Sequence, residues 1–454
     1  MKKYLLSAAA LIAMAGAANA ADDGSMTVAG ITLYGTVDMG IMYQTHGTPL
    51  NDYFPTGTTE LVYKTVNKSM WTMSPSNLGQ SKLGIKGAEN IVDGLTGIFK
   101  LETFFNPTSG DLSDALKSIT QNNGRPLNQQ TSNADSSITG QMFNSAAIVG
   151  LSSPRWGTAT FGRQTGLLAD GVAKYDPQGV SNAFSPIGWS GAAGGSGDTQ
   201  DRRFDNSAKY LNQIGPARIG AMYKFSGYGG SAYSAQEYEV GGDYAHASID
   251  AFYANIKDAV VIPGPLTGAQ MNALMTPGTP QYGMSSVTAL SGIVSDNQTF
   301  GVMAMYDAGK PKAYFGYEHI TFANPSHPLA PGFDDIGGYT LAFTNNNFYP
   351  NHKELDIVWT GLKYSVTPKF DVTGAYYHYD QNNFASGALA GCSSTAAPQC
   401  SGQLNAISLV LDYRLSKRFD TYAGAQWSQV AGGLASGYLH NNEIDPAAGI
   451  RFTF

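Results

Sequence analysis

Ile31-Thr32-Leu33-Tyr34-Gly35-Thr36-Val37-Asp38-Met39-Gly40-Ile41 is the stretch that decides the fold. Its odd positions are apolar apart from Gly35, and its even positions are polar, aromatic or small. A period of two puts the two sets on opposite faces of a β-strand, one toward an apolar medium and one toward water. The pattern recurs down the chain. Leu83 and Ile85 alternate with Lys82, Gly84 and Lys86, and Ile219, Ala221, Tyr223 and Phe225 with Arg218, Gly220, Met222 and Lys224. Ile407, Leu409, Leu411 and Tyr413 alternate with Ser408, Val410, Asp412 and Arg414, and Ile450, Phe452 and Phe454 with Gly449, Arg451 and Thr453.

Such two-faced strands are expected near 28–45, 82–90, 94–105, 143–152, 156–164, 203–211, 216–226, 236–245, 247–256, 298–307, 310–320, 353–366, 369–380, 403–414, 418–430 and 443–454. The connections alternate between tight turns, such as Ser153-Pro154-Arg155 and Thr367-Pro368, and long loops rich in Gly, Ser, Asn and Thr. The long ones cover roughly 46–81, 106–142, 165–202, 257–297, 321–352, 381–402 and 431–442. One rim of tight turns and one of long loops is the layout of a membrane barrel. Lipid offers backbone groups no hydrogen bonds, so strands cross it only as a closed sheet. The expected fold is therefore all-β: a transmembrane, antiparallel, up-and-down barrel of about sixteen strands. Tyr34, Tyr43, Tyr210, Tyr223, Tyr376, Tyr413 and Trp427 are candidates for its aromatic girdles.

Composition agrees. Charged residues are 13 % of the chain, about half the roughly 25 % of soluble proteins, and disordered chains are charge-rich instead. A formal charge of −7 disfavours nucleic acid as a partner, because it repels phosphate. Residues 1–20 read as an export signal, with Lys2 and Lys3, an apolar stretch over Leu5–Ala18 and an Ala18-Asn19-Ala20 cleavage site. That leaves 21–454 as a single barrel domain. Beyond the leader no run of about 18 apolar residues occurs, so no spanning helix is expected. Cys392 and Cys400 are close enough in sequence for a disulfide in an exported protein, and two free thiols remain the alternative. Gly227-Tyr228-Gly229-Gly230-Ser231-Ala232 fits a dinucleotide fingerprint but lies in a turn between strands. No nucleophile elbow, Walker loop or zinc-protease motif is present, so neither an enzyme nor a cofactor or metal site is expected.

Together, several segments resemble the trimeric, sixteen-stranded general porins of Gram-negative outer membranes. Ile31–Asp38 resembles the first strand of that family. Ser81-Lys-Leu-Gly-Ile-Lys-Gly-Ala-Glu89 and Gly94–Glu102 resemble the second and third strands. Val149-Gly-Leu-Ser-Ser153, Gly157–Gln164 and Arg203–Tyr210 resemble the fourth to sixth. The resemblance implies a homotrimer in the outer membrane, contacts with lipid and lipopolysaccharide, and a terminal Phe454 read by the assembly machinery. It also implies that the third long loop, roughly 165–202, folds into the lumen and faces a basic wall. The motif places Lys82, Arg163 and Arg203 on that wall, and alternation adds Lys86, Lys100 and Lys209. The loop's acidic candidates are Asp170, Asp176, Asp198 and Asp201, although the Pro-Glu-Phe-Gly signature of some porins is missing.

A lysine facing lipid at mid-membrane costs about 2–4 kcal/mol, so these cations face water or lie near an interface, and several on neighbouring strands imply a polar lumen. The function expected is passive diffusion of ions and small hydrophilic solutes through a charged constriction. The alternatives are a barrel tuned to organic, amino or aromatic acids, and a surface adhesin. The acidic excess of the long loops points toward cations and the basic wall toward anions.

Overall fold

In the computed structural model the described residues are 19–20, 26–28, 30–46, 69–108, 110, 112, 142–189, 203–225, 234–262, 292–324, 335–336, 339–340, 349–393, 397, 399–435 and 440–454. The export signal expected at 1–20 therefore falls almost wholly outside them, as do Asp198 and Asp201.

The strands close into a sixteen-stranded antiparallel barrel. In chain order they begin with β1 Ile31–Gln44, then β2 in two parts, Met70–Pro75 and Lys82–Val92. Next come β3 Leu95–Phe104, β4 Ala146–Ser153, β5 Gly157–Thr165, β6 Arg203–Ile214, β7 Ala217–Lys224 and β8 Ala235–Tyr244. They continue with β9 Ala247–Ile262, β10 Gly292–Asp307, β11 Pro311–Ala323, β12 Lys353–Thr367, β13 Phe370–Gln381, β14 Gly402–Arg414, β15 Phe419–Gly432 and β16 Asn442–Thr453. Each strand pairs with its sequence neighbours. β16 returns to β1, with Thr453 opposite Thr36 and Ala447 opposite Met42. The seam ends where the Gly35 amide donates to the Phe454 carbonyl at 2.8 Å and the Phe454 amide returns the bond at 3.0 Å. Gly35 is required there, because an added Cβ would lie 2.6 Å from the Phe454 ring.

β2 is the strand that departs from expectation. Its first part pairs with the upper half of β1 and its second with the lower half. The first part lies inside what the sequence assigns to a loop. Between the parts, residues 76–81 leave the ladder and turn inward, where Asp38 accepts the Leu78 and Gly79 amides at 2.8 and 3.0 Å. The upper part does alternate, with Trp71 and Met73 exposed and Ser74 buried, but the pattern stops at the inward turn after four or five residues and is too short to mark a strand. β9 and β10 also run longer than expected, to Ile262 and from Gly292.

Alternation decides the two faces. Val149, Leu151, Phe161, Ile219, Val240 and Ile407 are exposed on the outer wall, where lipid replaces water as the solvent. Tyr244, Tyr306, Tyr364, Tyr413 and Phe452 are exposed beside tight turns and make one aromatic belt. Tyr210, Tyr223, Tyr376 and Trp427 are exposed as girdle residues should be. Tyr34 is not among them: it sits on the inward set and donates to Glu102 at 2.9 Å.

Candidate functional site

The loop after β5 starts at Gly166 and forms a helix, α1, over Leu167–Tyr175. Helical spacing gives it two faces. Leu167, Leu168, Gly171, Val172 and Tyr175 are buried, while Asp170, Ala173 and Lys174 are exposed. The buried face meets inward side chains of the wall, among them Phe252, Met303 and Trp359. Each fully buried large apolar side chain contributes about 1.5–3 kcal/mol, so this face fixes the loop.

Polar anchors continue the attachment around the inside of the barrel. Glu237 of β8, 1 % exposed, accepts the Leu167 amide and the Leu168 amide at the helix start. Asp250 of β9 accepts the Tyr175 hydroxyl at 2.6 Å and Lys174 Nζ at 2.9 Å. The Trp359 indole of β12 donates to the Tyr175 carbonyl at 3.1 Å. The Tyr377 hydroxyl of β13 donates to Asp176 at 2.7 Å, and Gln178 donates to Ser408 of β14 at 2.9 Å. Phe184 meets Tyr422 of β15 edge-on, with centroids 6.4 Å apart. Ser181 and Asn182 donate to the carbonyls of Asn77 and Ser76 in the β2 interruption, both at 2.7 Å. The loop thus follows the walls β8 to β15 and lands on β2, so the wall of β2 to β6 faces the open side of the lumen.

The basic candidates lie on that wall. Lys82 and Lys100 flank Glu102 at 3.6 and 3.2 Å. Glu102 is buried and also accepts Tyr34 and Ser145, the latter at 2.5 Å. Lys86 sits 5.3 Å over the Tyr34 ring and makes no ion pair among the described residues. Arg203 lies 4.6 Å over Phe104, and Lys224, which the motif did not mark, lies 5.8 Å over Phe204. A ring face orients a cation without cancelling its charge. Lys209 is committed differently: it reaches Asp170 at 2.8 Å and the Thr165 carbonyl at 2.9 Å. Arg163, 7 % exposed, donates to the Asn144 carbonyl at 2.8 Å and pairs with Asp205 at 2.7 Å.

Of the acidic candidates, Asp170 faces the lumen but is paired with Lys209. Asp176 does not face the basic wall. It is 2 % exposed and accepts the Val180 amide at 2.7 Å besides the Tyr377 hydroxyl. Burial pushes its carboxyl above the usual range, against the pull of those donors. Glu102, Glu237, Asp250 and Lys174 are the residues that sequence reasoning missed. Alternation gives the inward set, but their partners lie tens of residues away. Cys392 and Cys400 form a disulfide in the β13–β14 loop, with sulfurs 1.94 Å apart. Among the described residues no group of three potential ligands could hold a metal ion.

Known proteins fit this architecture. The family model described as Gram-negative porin matches residues 7–432. An outer membrane porin protein of Bordetella pertussis is 26 % identical over 444 residues, covering 94 % of each chain. Among solved structures, an anion-selective porin from Comamonas acidovorans superimposes with a TM-score of 0.59 at 16 % identity, over 93 % of this chain and 99 % of that one. The trimer form of OmpT, an outer membrane protein of Vibrio cholerae, gives 0.53 at 14 % identity, over 93 % and 99 %. The barrel and the family match over most of its length make this chain a member of the Gram-negative porin family, an outer-membrane protein.

Proposed function

We propose that the barrel conducts ions and small hydrophilic solutes by passive diffusion, through a passage between α1 and the wall of β2 to β6, and that this passage prefers anions. One observation carries the reading. Lys82 and Lys100 share a single carboxylate, Glu102, Lys86 beside them has no carboxylate partner among the described residues, and the facing side of α1 presents Ala173 together with Asp170 and Lys174, each already paired, with Lys209 and Asp250. The nearest charges around a permeating ion are therefore positive on balance, and such charges bias conduction. The structural neighbour from Comamonas acidovorans is itself an anion-selective porin, which supports the same sign. An acidic tally over the loops argues for cations, but Asp176 belongs to the wall side and not to the passage. The chain after removal of residues 1–20 is proposed to work as a homotrimer, since a trimer form is known for the OmpT neighbour.

The test is the reversal potential of the refolded mature protein in planar bilayers under a KCl gradient. The expected sign is that of an anion-preferring pore. Lys86→Glu changes the local charge by two units, each worth about 1 kcal/mol at about 4 Å in water, and should lower the anion-to-cation permeability ratio by at least about tenfold. No conductance from a folded barrel would defeat the channel reading. A cation-preferring wild type would defeat the selectivity.

A further inference from the structure

Beside α1, at the tight-turn end of the lumen, lies a cavity of about 460 Å³. Its charged lining is Asp170, Lys174, Arg218, Glu239 and Asp250. Three of these are committed elsewhere. Asp250, 1 % exposed, accepts Arg218 Nη2 at 2.7 Å, Lys174 Nζ at 2.9 Å and the Tyr175 hydroxyl at 2.6 Å. Arg218 further pairs with Asp243 and donates to Ser248 at 3.0 Å. Asp170 is held by Lys209 at 2.8 Å and Thr165 at 2.6 Å.

Glu239 is left over, and Lys174 has donors to spare. Glu239, half-buried on the inward set of β8, makes no hydrogen bond and no ion pair among the described residues. Lys174 spends one N–H on Asp250, and its 36 % exposed side chain leaves two more for the cavity. A lone anion entering here meets Glu239. A lone cation meets Lys174 and Arg218. Only a solute with both charges satisfies Glu239 and the spare N–H donors of Lys174 together, and the mismatch discriminates against the others.

We propose that this cavity is a subsite for small zwitterions of the α-amino-acid type. The ammonium is held by Glu239 and the carboxylate by Lys174, so that such solutes pause after the basic wall. The inference deepens the channel reading, on which only its access route depends.

The test is binding of radiolabelled serine to the detergent-folded mature protein, which needs no conductance. It is paired with KCl conductance on titrating serine from the tight-turn side. Saturable binding is expected, with a matching fall in current. Methylammonium and acetate should each compete at least tenfold more weakly. Glu239→Gln and Lys174→Met should each weaken binding at least tenfold, with a β-sheet circular-dichroism spectrum confirming that both barrels fold. A folded wild type without saturable serine binding overturns the proposal. So does either folded variant binding as the wild type does, or methylammonium competing as well as serine, which marks a simple cation site. Binding without conductance would sustain the subsite and defeat the channel reading.

Discussion

Glu237 brings a buried carboxylate to the point where α1 begins. Its two backbone donors are the Leu167 and Leu168 amides, which have no partner within the helix. The positive end of the helix dipole adds to that attraction. Glu237→Gln keeps the size and removes the charge. It should loosen the helix start by about 1–2 kcal/mol, read as roughly a 5- to 30-fold faster hydrogen exchange at those two amides. Asp176 gives a second test. Its carboxyl is lifted above its ordinary value, chiefly by burial, so between those two values the docked loop binds more protons than the undocked one. Docking is then strongest in acid and weakens as pH rises through that window. Asp176→Asn removes the titration, and the unfolding midpoint of the folded barrel should fall less steeply with rising pH than in the wild type. Neither role was legible in the sequence. Glu237 reads only as an inward position on a strand, and Asp176 as one more loop acid, because each is defined by a partner far along the chain.

The strands were legible because their period is two and lipid enforces it on one face. Where the environment changes, the signal fades. Leu355, Ile357, Trp359, Tyr377 and Tyr379 are inward yet apolar and fully covered, since on β12 and β13 the lumen is filled by packed loops and not by water. A binary pattern cannot separate an inward apolar residue from an outward one. The disulfide loop is part of that filling. The Cys400 carbonyl accepts Gln381 at 2.8 Å, the Ser401 carbonyl accepts the Gly433 amide at 2.9 Å, and Asn351 donates to the Ala385 carbonyl at 3.2 Å. The bridge spans 8 residues, and closing so short a loop is worth about 2–3 kcal/mol. Its effect is local, because the barrel ladder does not pass through it. Reduction, or Cys392→Ser with Cys400→Ser, should leave the β-sheet circular-dichroism spectrum unchanged. Chymotrypsin cleavage at Phe384, 1 % exposed in the bridged form, should become about tenfold faster.

At the scale of the molecule two opposed charge distributions would act on an ion in the proposed passage. The chain as a whole is acidic, with a formal charge of −7, whereas the three lysines Lys82, Lys86 and Lys100 stand on the passage wall beside one carboxylate, Glu102, which pairs with only two of them. Which of them an ion feels depends on the screening length, about 3 Å at 1 M salt, 10 Å at 0.1 M and 30 Å at 0.01 M. At 1 M even the wall lysines are screened beyond direct contact, so selectivity should be slight. Near 0.1 M the wall is felt and the distant acids are not, so the anion preference should be largest. At 0.01 M the field of the whole acidic chain reaches the passage and offsets the wall. The permeability ratio from reversal potentials should therefore pass through a maximum with ionic strength. In Lys86→Glu the maximum should flatten, because the nearest charges then no longer oppose the rest. A ratio that rises steadily down to 0.01 M would mean that the wall alone sets the field, and a preference that turns cationic near 0.1 M would mean that the loops do.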